Sequence, residues 1–251
     1  MAQITDAQGN PVTGATSDTA DAFNQAVDRA VHLSPKSMPI LKDILKSRPD
    51  FAMASIMMAH LMISSHRPEF NGLVQKICDG LENQTLNERE KLHLAALNAL
   101  LADRSDQARE WLEDILVEHP RDLLALHFVH FLDFNCGDAR AMRDRIARAL
   151  RAWSPDMPNY GQVLGMYAFA LEESGDYGRA EEFGRQSVEL DNTDCWAQHA
   201  IAHTLEMTGR FDEGIAWQRG NVDGWTADSF FDIHNWWHLA LFHLEKGDVD
   251  E

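Results

Sequence analysis

Two histidines and a glutamate near the C-terminal end have types and a spacing that could support chemistry. His199 and His203 stand four residues apart in HAIAHTLE, and Glu206 follows three residues later. On an α-helix such positions share one face, so the three side chains would project from the same surface. Two imidazoles in this arrangement, with a carboxylate nearby, could hold a divalent metal ion, as HExxH helices do. Without a metal they could act as acid and base, with Glu206 orienting a histidine.

A second pair, His234 and His238, has the same spacing in HNWWH. His234 is expected to lie close to the first cluster, because it falls on the next inner helix of the repeat described below. The candidate catalytic residues are therefore His199, His203, Glu206 and His234, and the candidate metal ligands are His199 and His203. The spacing equally fits polar residues that are hydrogen-bonded in a groove or a domain contact, so the sequence does not establish whether the protein is an enzyme.

Composition and missing motifs exclude several classes of protein. The 251-residue chain is 45% apolar, and its 40 acidic against 22 basic residues give a net charge of −18. This charge repels phosphate backbones and anionic lipid surfaces, so neither nucleic acid nor a membrane is an expected partner. The chain has no apolar run of spanning length and no signal-peptide pattern, which predicts a cytoplasmic protein. Its three cysteines have no CxxC spacing, and no GxSxG, Walker or GxGxxG motif is present.

The elements that must position the histidines form a repeat. Five helix–turn–helix segments share a turn residue, and the turns alternate in spacing between 34 and 38 residues. A period of 34 residues is that of the tetratricopeptide repeat. Small residues also recur where the two helices of such a repeat touch. The turn residues are Asp103, Gly137, Gly175, Gly209 and Gly247, and the small residues are Ala96, Ala168, Ala202 and Ala240 in the first helix and Ala108, Ala180 and Gly214 in the second.

This pattern predicts an all-α fold, an α-α superhelix built as a right-handed tetratricopeptide-repeat solenoid of six to seven helix pairs. Residues 1–17, rich in Gly, Thr, Asp and Pro, are expected to form an extended N-terminal arm. Residues 18–251 are expected to form a single repeat array with one continuous core.

Several of these segments resemble the tetratricopeptide repeat protein 38 family. The resemblance covers most of the chain: it includes the N-terminal GNPVTGAT, the run from RDLLALHFVHFLDF through HAIAHTLEMTGRFDEG, and FFDIHNWWHLALFHLEKGD, within which HNWWHLALFHLE is the most specific piece. Members of that family look longer, so the resemblance implies further C-terminal helices that this chain lacks. An array cut in this way would expose an apolar end, which makes a homo-oligomer a further expectation. The family name describes a fold, so the resemblance implies little about chemistry.

The predicted concave face carries no lysine or arginine at its inner helix positions, unlike repeat modules that capture a peptide carboxylate. It is lined instead by aromatic and histidine side chains, as small-molecule pockets are. We therefore predict a binding protein whose concave pocket takes a small or apolar ligand or a partner helix. The alternative is a hydrolase or lyase that uses the histidine cluster, with or without a divalent metal. The candidate ligand-binding residues are His127, Phe131, Phe169, Trp196, Trp237 and His238, of which His238 falls at the edge of the face by repeat register.

Overall fold

The computed structural model describes residues 3–226 and 228–248, and within them the chain is helical with no strand. Residues 1 and 2 of the expected arm and residues 227 and 249–251 of the expected array lie outside the described residues. The contacts between its residues divide the chain into two compact units, whereas the sequence predicts a single repeat array. Unit 1 comprises residues 1–29 and 36–137, and unit 2 comprises residues 30–35 and 138–251. No helix in the described part of the chain has both the length and the apolar character needed to cross a membrane.

Unit 1 contains most of the first helix and the next six, and from α2 to α7 each helix packs against its neighbours in sequence. The helices are α1 (Ser17–Val31), α2 (Ser37–Ser47), α3 (Ala52–Ile63), α4 (Asn71–Glu82), α5 (Glu88–Leu101), α6 (Ser105–Glu118) and α7 (Leu123–Asn135). Their core is formed by fully buried apolar side chains such as Phe51, Met57 and Leu112. Within unit 1, α3 contacts α2, α4 and α5, and α6 contacts α5 and α7.

The N-terminal segment is folded back on itself, because an isolated antiparallel bridge joins Thr5 to Pro11. Its backbone is then held by α5. Arg89 Nη2 donates to the carbonyl of Pro11 over 2.8 Å, and Thr13 N donates to Glu90 Oε1 over 2.8 Å. This part of the predicted arm is thus packed against a helix of unit 1.

A network of hydrogen-bonded polar side chains is buried in unit 1. His93 Nε2 lies 3.0 Å from Asp122 Oδ2, and His93 Nδ1 lies 3.3 Å from His60 Nε2. Arg89 Nη1 donates to the same Asp122 oxygen over 2.7 Å. Burial raises the pKa of Asp122, but the charge of Arg89, the charge and hydrogen bond of His93 and the hydrogen bond from Ala125 together outweigh it and bring that pKa well below its usual range. The charged groups of this core are therefore paired, as buried charges must be.

Unit 2 contains the remaining helices, among them the two that carry the histidine pairs. They are α8 (Ala139–Ala149), α9 (Tyr160–Glu173), α10 (Tyr177–Leu190), α11 (Cys195–Met207), α12 (Phe211–Gly220), α13 (Val222–Trp225) and α14 (Asp232–Lys246). Helix α9 packs against α8, α10 and α11, and α11 packs in turn against α10, α12 and α14.

The predicted turns between helices are confirmed. All five turn residues have a positive φ, which ends a helix by the left-handed conformation at its C-terminus. The values are 57° for Asp103, 70° for Gly137, 77° for Gly175, 71° for Gly209 and 79° for Gly247. Glycine suits four of these positions, since it adopts this conformation without a steric penalty.

Candidate functional site

Helix α11 presents the first histidine pair and begins at a buried N-cap. The Asp194 side chain accepts hydrogen bonds from the backbone N–H groups of Trp196 and Ala197, at 3.0 and 3.2 Å. Burial raises the pKa of Asp194 to about 6. Helix α9 passes this cap closely at Gly165, where a Cβ atom would lie 2.3 Å from an Asp194 oxygen. The absence of a side chain at Gly165 therefore allows α9 to pack beside the start of α11.

The four histidines of α11 and α14 meet at one point. His199 Nε2 lies 2.9 Å from His234 Nε2, and His234 Nε2 lies 3.1 Å from His238 Nε2. His203 Nε2 lies 3.1 Å from His238 Nε2. One nitrogen from each of the four rings falls within 4.8 Å of all the others. We call this group of His199, His203, His234 and His238 the four-histidine centre.

Two carboxylates contact the outer nitrogens of this centre. Glu172 Oε2, from α9, lies 3.2 Å from His203 Nδ1, and Glu206 Oε2, from α11, lies 3.2 Å from His238 Nδ1. An ionised carboxylate only accepts hydrogen bonds, so each Nδ1 carries the proton. In the neutral form of either ring, the lone pair of Nε2 then faces the centre. Carboxylates orient metal-binding histidines in the same way.

Aromatic rings form the walls around His199. The ring centroids of Phe169, Trp196 and Phe231 lie 5.5, 6.0 and 4.8 Å from that of His199. His199 is 3% exposed, and burial together with the neighbouring histidines holds its pKa well below the usual value. For the same reasons the pKa of His238 falls to about 3. These two rings therefore remain neutral at physiological pH and keep their lone pairs available.

The predicted catalytic residues come together at the four-histidine centre. His199, His203 and His234 contribute nitrogens to the centre, whereas Glu206 contacts the outer nitrogen of His238. The register prediction for His238 is wrong: this histidine lies inside the centre, because residues four apart on α14 share a face with His234. Sequence reasoning also missed Glu172. A signal was present, since Glu172 occupies the same repeat position as Glu206.

The predicted ligand-binding residues are mostly buried within their own units. His127, Phe169 and Trp196 are 3%, 1% and 4% exposed, which leaves little of their surface for a ligand. His127 and Phe131 belong to unit 1, where their rings contact each other at 5.0 Å. Trp237 is 51% exposed and stacks on His234 with ring centroids 5.3 Å apart.

A comparison with protein-family models finds no match to this chain.

Proposed function

We propose that this chain is a helical-repeat protein whose unit 2 binds a divalent transition-metal ion through His199, His203, His234 and His238. The observation that carries the proposal is the convergence of four imidazole nitrogens, one from each ring, within 4.8 Å of one another. Each pair comes from a single helix, so the ion would link α11 to α14.

The protonation of the rings supports a cation at this point. The Nδ1 protons of His203 and His238 face Glu172 and Glu206. The Nε2 lone pairs of these two histidines therefore face each other, with the Nε2 atoms 3.1 Å apart. Two acceptors at this distance repel each other unless a positive charge lies between them. A proton bridges only two nitrogen atoms, whereas four converge here. A metal ion satisfies all four lone pairs at once.

The distances also fit coordination. Zinc bonds to histidine nitrogen are about 2.0–2.1 Å, which places the nitrogens of a tetrahedral site about 3.3 Å apart. Three of the six separations between the nitrogens, 2.9 to 3.1 Å, are close to this value, and the other three are within 4.8 Å. The charges are balanced as well, since the carboxylates of Glu172 and Glu206 offset the two positive charges of the ion. Four imidazoles favour zinc, copper, nickel or cobalt over magnesium or calcium, which prefer oxygen ligands.

For the fold we propose a right-handed tetratricopeptide-like solenoid related to the tetratricopeptide repeat protein 38 family. The support is the left-handed turn residue at each of the five repeat positions and the packing of helices against their neighbours in sequence. The burial of His127, Phe169 and Trp196 weighs against the competing idea of a large concave pocket for an apolar ligand.

A metal-dependent hydrolase or lyase is a second candidate function. The observation that favours it is the partial exposure of the centre, because the His203 side chain is 25% exposed and Glu206 is 28% exposed. A substrate could reach the ion from this side. A zinc ion held there by three of the four histidines would keep one position open, where it would polarise a carbonyl oxygen or lower the pKa of a bound water.

The proposal is tested by metal analysis and titration of protein purified without a histidine tag. We expect one zinc or cobalt ion per chain, and cobalt should show the visible absorption of a tetrahedral nitrogen site. The variant His199→Ala/His238→Ala should lose this binding. Its control is His66→Ala/His119→Ala, which removes two histidines of unit 1 and should bind as the unmodified protein does. Absence of stoichiometric metal in the unmodified protein, or equal binding by both variants, overturns the proposal.

A further inference from the structure

A second set of metal-ligating atoms borders the four-histidine centre. Glu172, Glu173 and His203 each offer one such atom within 4.8 Å of the others. Two carboxylates and an imidazole are ligands that a divalent transition-metal ion accepts. Because His203 belongs to both sets, this position adjoins the centre directly.

The second set lies on the side of the centre that solvent reaches. His199 and His238 are 3% and 2% exposed, whereas the His203 side chain is 25% exposed. Glu173, at the end of α9, is exposed. An ion that approaches from solvent on this side therefore meets Glu173 and His203 before it meets His199 or His238.

Further acidic groups surround the second set. Glu206 interacts electrostatically with Glu172 and with Glu245, which is exposed on α14. No lysine or arginine among the described residues is identified in the electrostatic interactions of Glu173 or Glu206. The local potential is therefore negative, and it attracts cations.

We propose that Glu172, Glu173 and His203 form a loading position for a hydrated divalent cation, which Glu173, Glu206 and Glu245 draw from solution before it passes to the four-histidine centre. This inference rests on the proposed function. The two positions are filled in turn, because His203 contributes to both. Carboxylate oxygens accept an ion that still carries water, and the imidazoles then replace that water during transfer. The loading position speeds metal capture without adding to the final coordination.

The test is the rate at which metal-free protein takes up cobalt, followed by stopped-flow absorbance. The variant Glu173→Gln/Glu245→Gln removes two charges of the acidic surface and leaves the four histidines and their hydrogen-bonded carboxylates intact. We expect association on the order of 3- to 10-fold slower than in the unmodified protein at about 20 mM salt, and a difference that vanishes at about 500 mM salt. The dissociation rate should be the same in both proteins.

The matched control is Glu110→Gln/Glu189→Gln, which changes the net charge equally at exposed positions on α6 and α10 that belong to neither donor set. This control should associate as fast as the unmodified protein. Equal association rates for both double variants, while cobalt still binds at equilibrium, overturn the loading position and leave the proposed function standing. A protein that binds no cobalt at all overturns both.

Discussion

At the scale of single residues, the chemistry of unit 2 depends on which imidazole nitrogen carries the proton. Glu172 and Glu206 determine this for His203 and His238, because each accepts a hydrogen bond from Nδ1. A neutral ring protonated at Nδ1 has its lone pair on Nε2, and Nε2 faces the centre in both residues. The two glutamates are therefore positioning residues for the ligands.

We predict that Glu206→Gln weakens zinc binding by about tenfold and that Glu206→Ala weakens it by roughly 10- to 100-fold, as loss of such partners does at metal-binding histidines. Glutamine retains an acceptor oxygen but loses the charge, so its effect should be smaller. The affinities are measured by competition with a chelator of known affinity. Glu189→Gln serves as the control and should bind zinc normally. A Glu206→Ala protein with unmodified affinity contradicts the positioning role.

A second residue-scale prediction concerns His127 in unit 1. Burial lowers the pKa of His127 to about 4, below its unfolded value of about 6.5. The folded state therefore resists protonation that the unfolded state accepts, and the stability present above pH 6.5 falls as the pH drops toward 4. This one residue should contribute a loss of about 1.4 kcal/mol per pH unit in that window.

The measurement is urea unfolding of the full chain at several pH values between 7 and 4, for the unmodified protein and for His127→Leu. The leucine variant should show a shallower fall in the free energy of unfolding, whatever its stability at pH 7. His119→Gln, a histidine that is less buried, should follow the unmodified curve. Parallel curves for His127→Leu and the unmodified protein would falsify this assignment.

At the scale of elements, the centre depends on the rotation of α14 about its own axis. Repeat register, counted from Gly247, places His234 on the concave face and His238 at its edge. Helix geometry places residues four apart on one face, and packing turns that face of α14 toward α11, so that both histidines reach the centre. The register is interrupted before α14, because α13 and its neighbouring turn intervene after α12, with Trp225 fully buried.

The contact between α12 and α14 yields a prediction on Gly214. A Cβ atom at this position would lie 2.4 Å from ring atoms of Phe242, which is itself fully buried. Gly214→Ala should therefore destabilise the protein by about 1–3 kcal/mol through overpacking. Gly178→Ala on α10 is the control, since its new Cβ atom would meet nothing within 4 Å. We expect this control to be neutral or stabilised by up to about 1 kcal/mol in thermal unfolding.

Displacement of the Phe242 ring should also disturb the neighbouring histidines on α14. Gly214→Ala is thus expected to bind zinc more weakly than Gly178→Ala. Equal stability in the two alanine variants contradicts the predicted clash.

At the scale of the whole molecule, all four histidines belong to unit 2. A ligand that binds only the folded state stabilises it by about 2.7 kcal/mol when present at 100 times its dissociation constant. We therefore predict that zinc slows amide hydrogen exchange in α11 and α14, by up to about 100-fold where exchange requires opening of the site. The measurement is exchange followed by mass spectrometry with and without zinc.

Exchange in α5 and α6 of unit 1 serves as the internal reference and should change much less. The double variant His199→Ala/His238→Ala should show no zinc effect in either unit. Protection of unit 1 alone, or protection that persists in the double variant, would locate the metal elsewhere.

The sequence by itself determined the helices, their turns and the two histidine pairs. Apolar periodicity and the positions of Asp103 and four glycines reflect local backbone preferences, which hold wherever a segment lies in the fold. Only the tertiary structure decided that His238 joins the centre, that Glu172 orients His203, and that Trp196 is buried beside His199. These outcomes depend on the rotation and separation of α9, α11 and α14. Packing of many side chains sets both quantities, and no local sequence pattern encodes them.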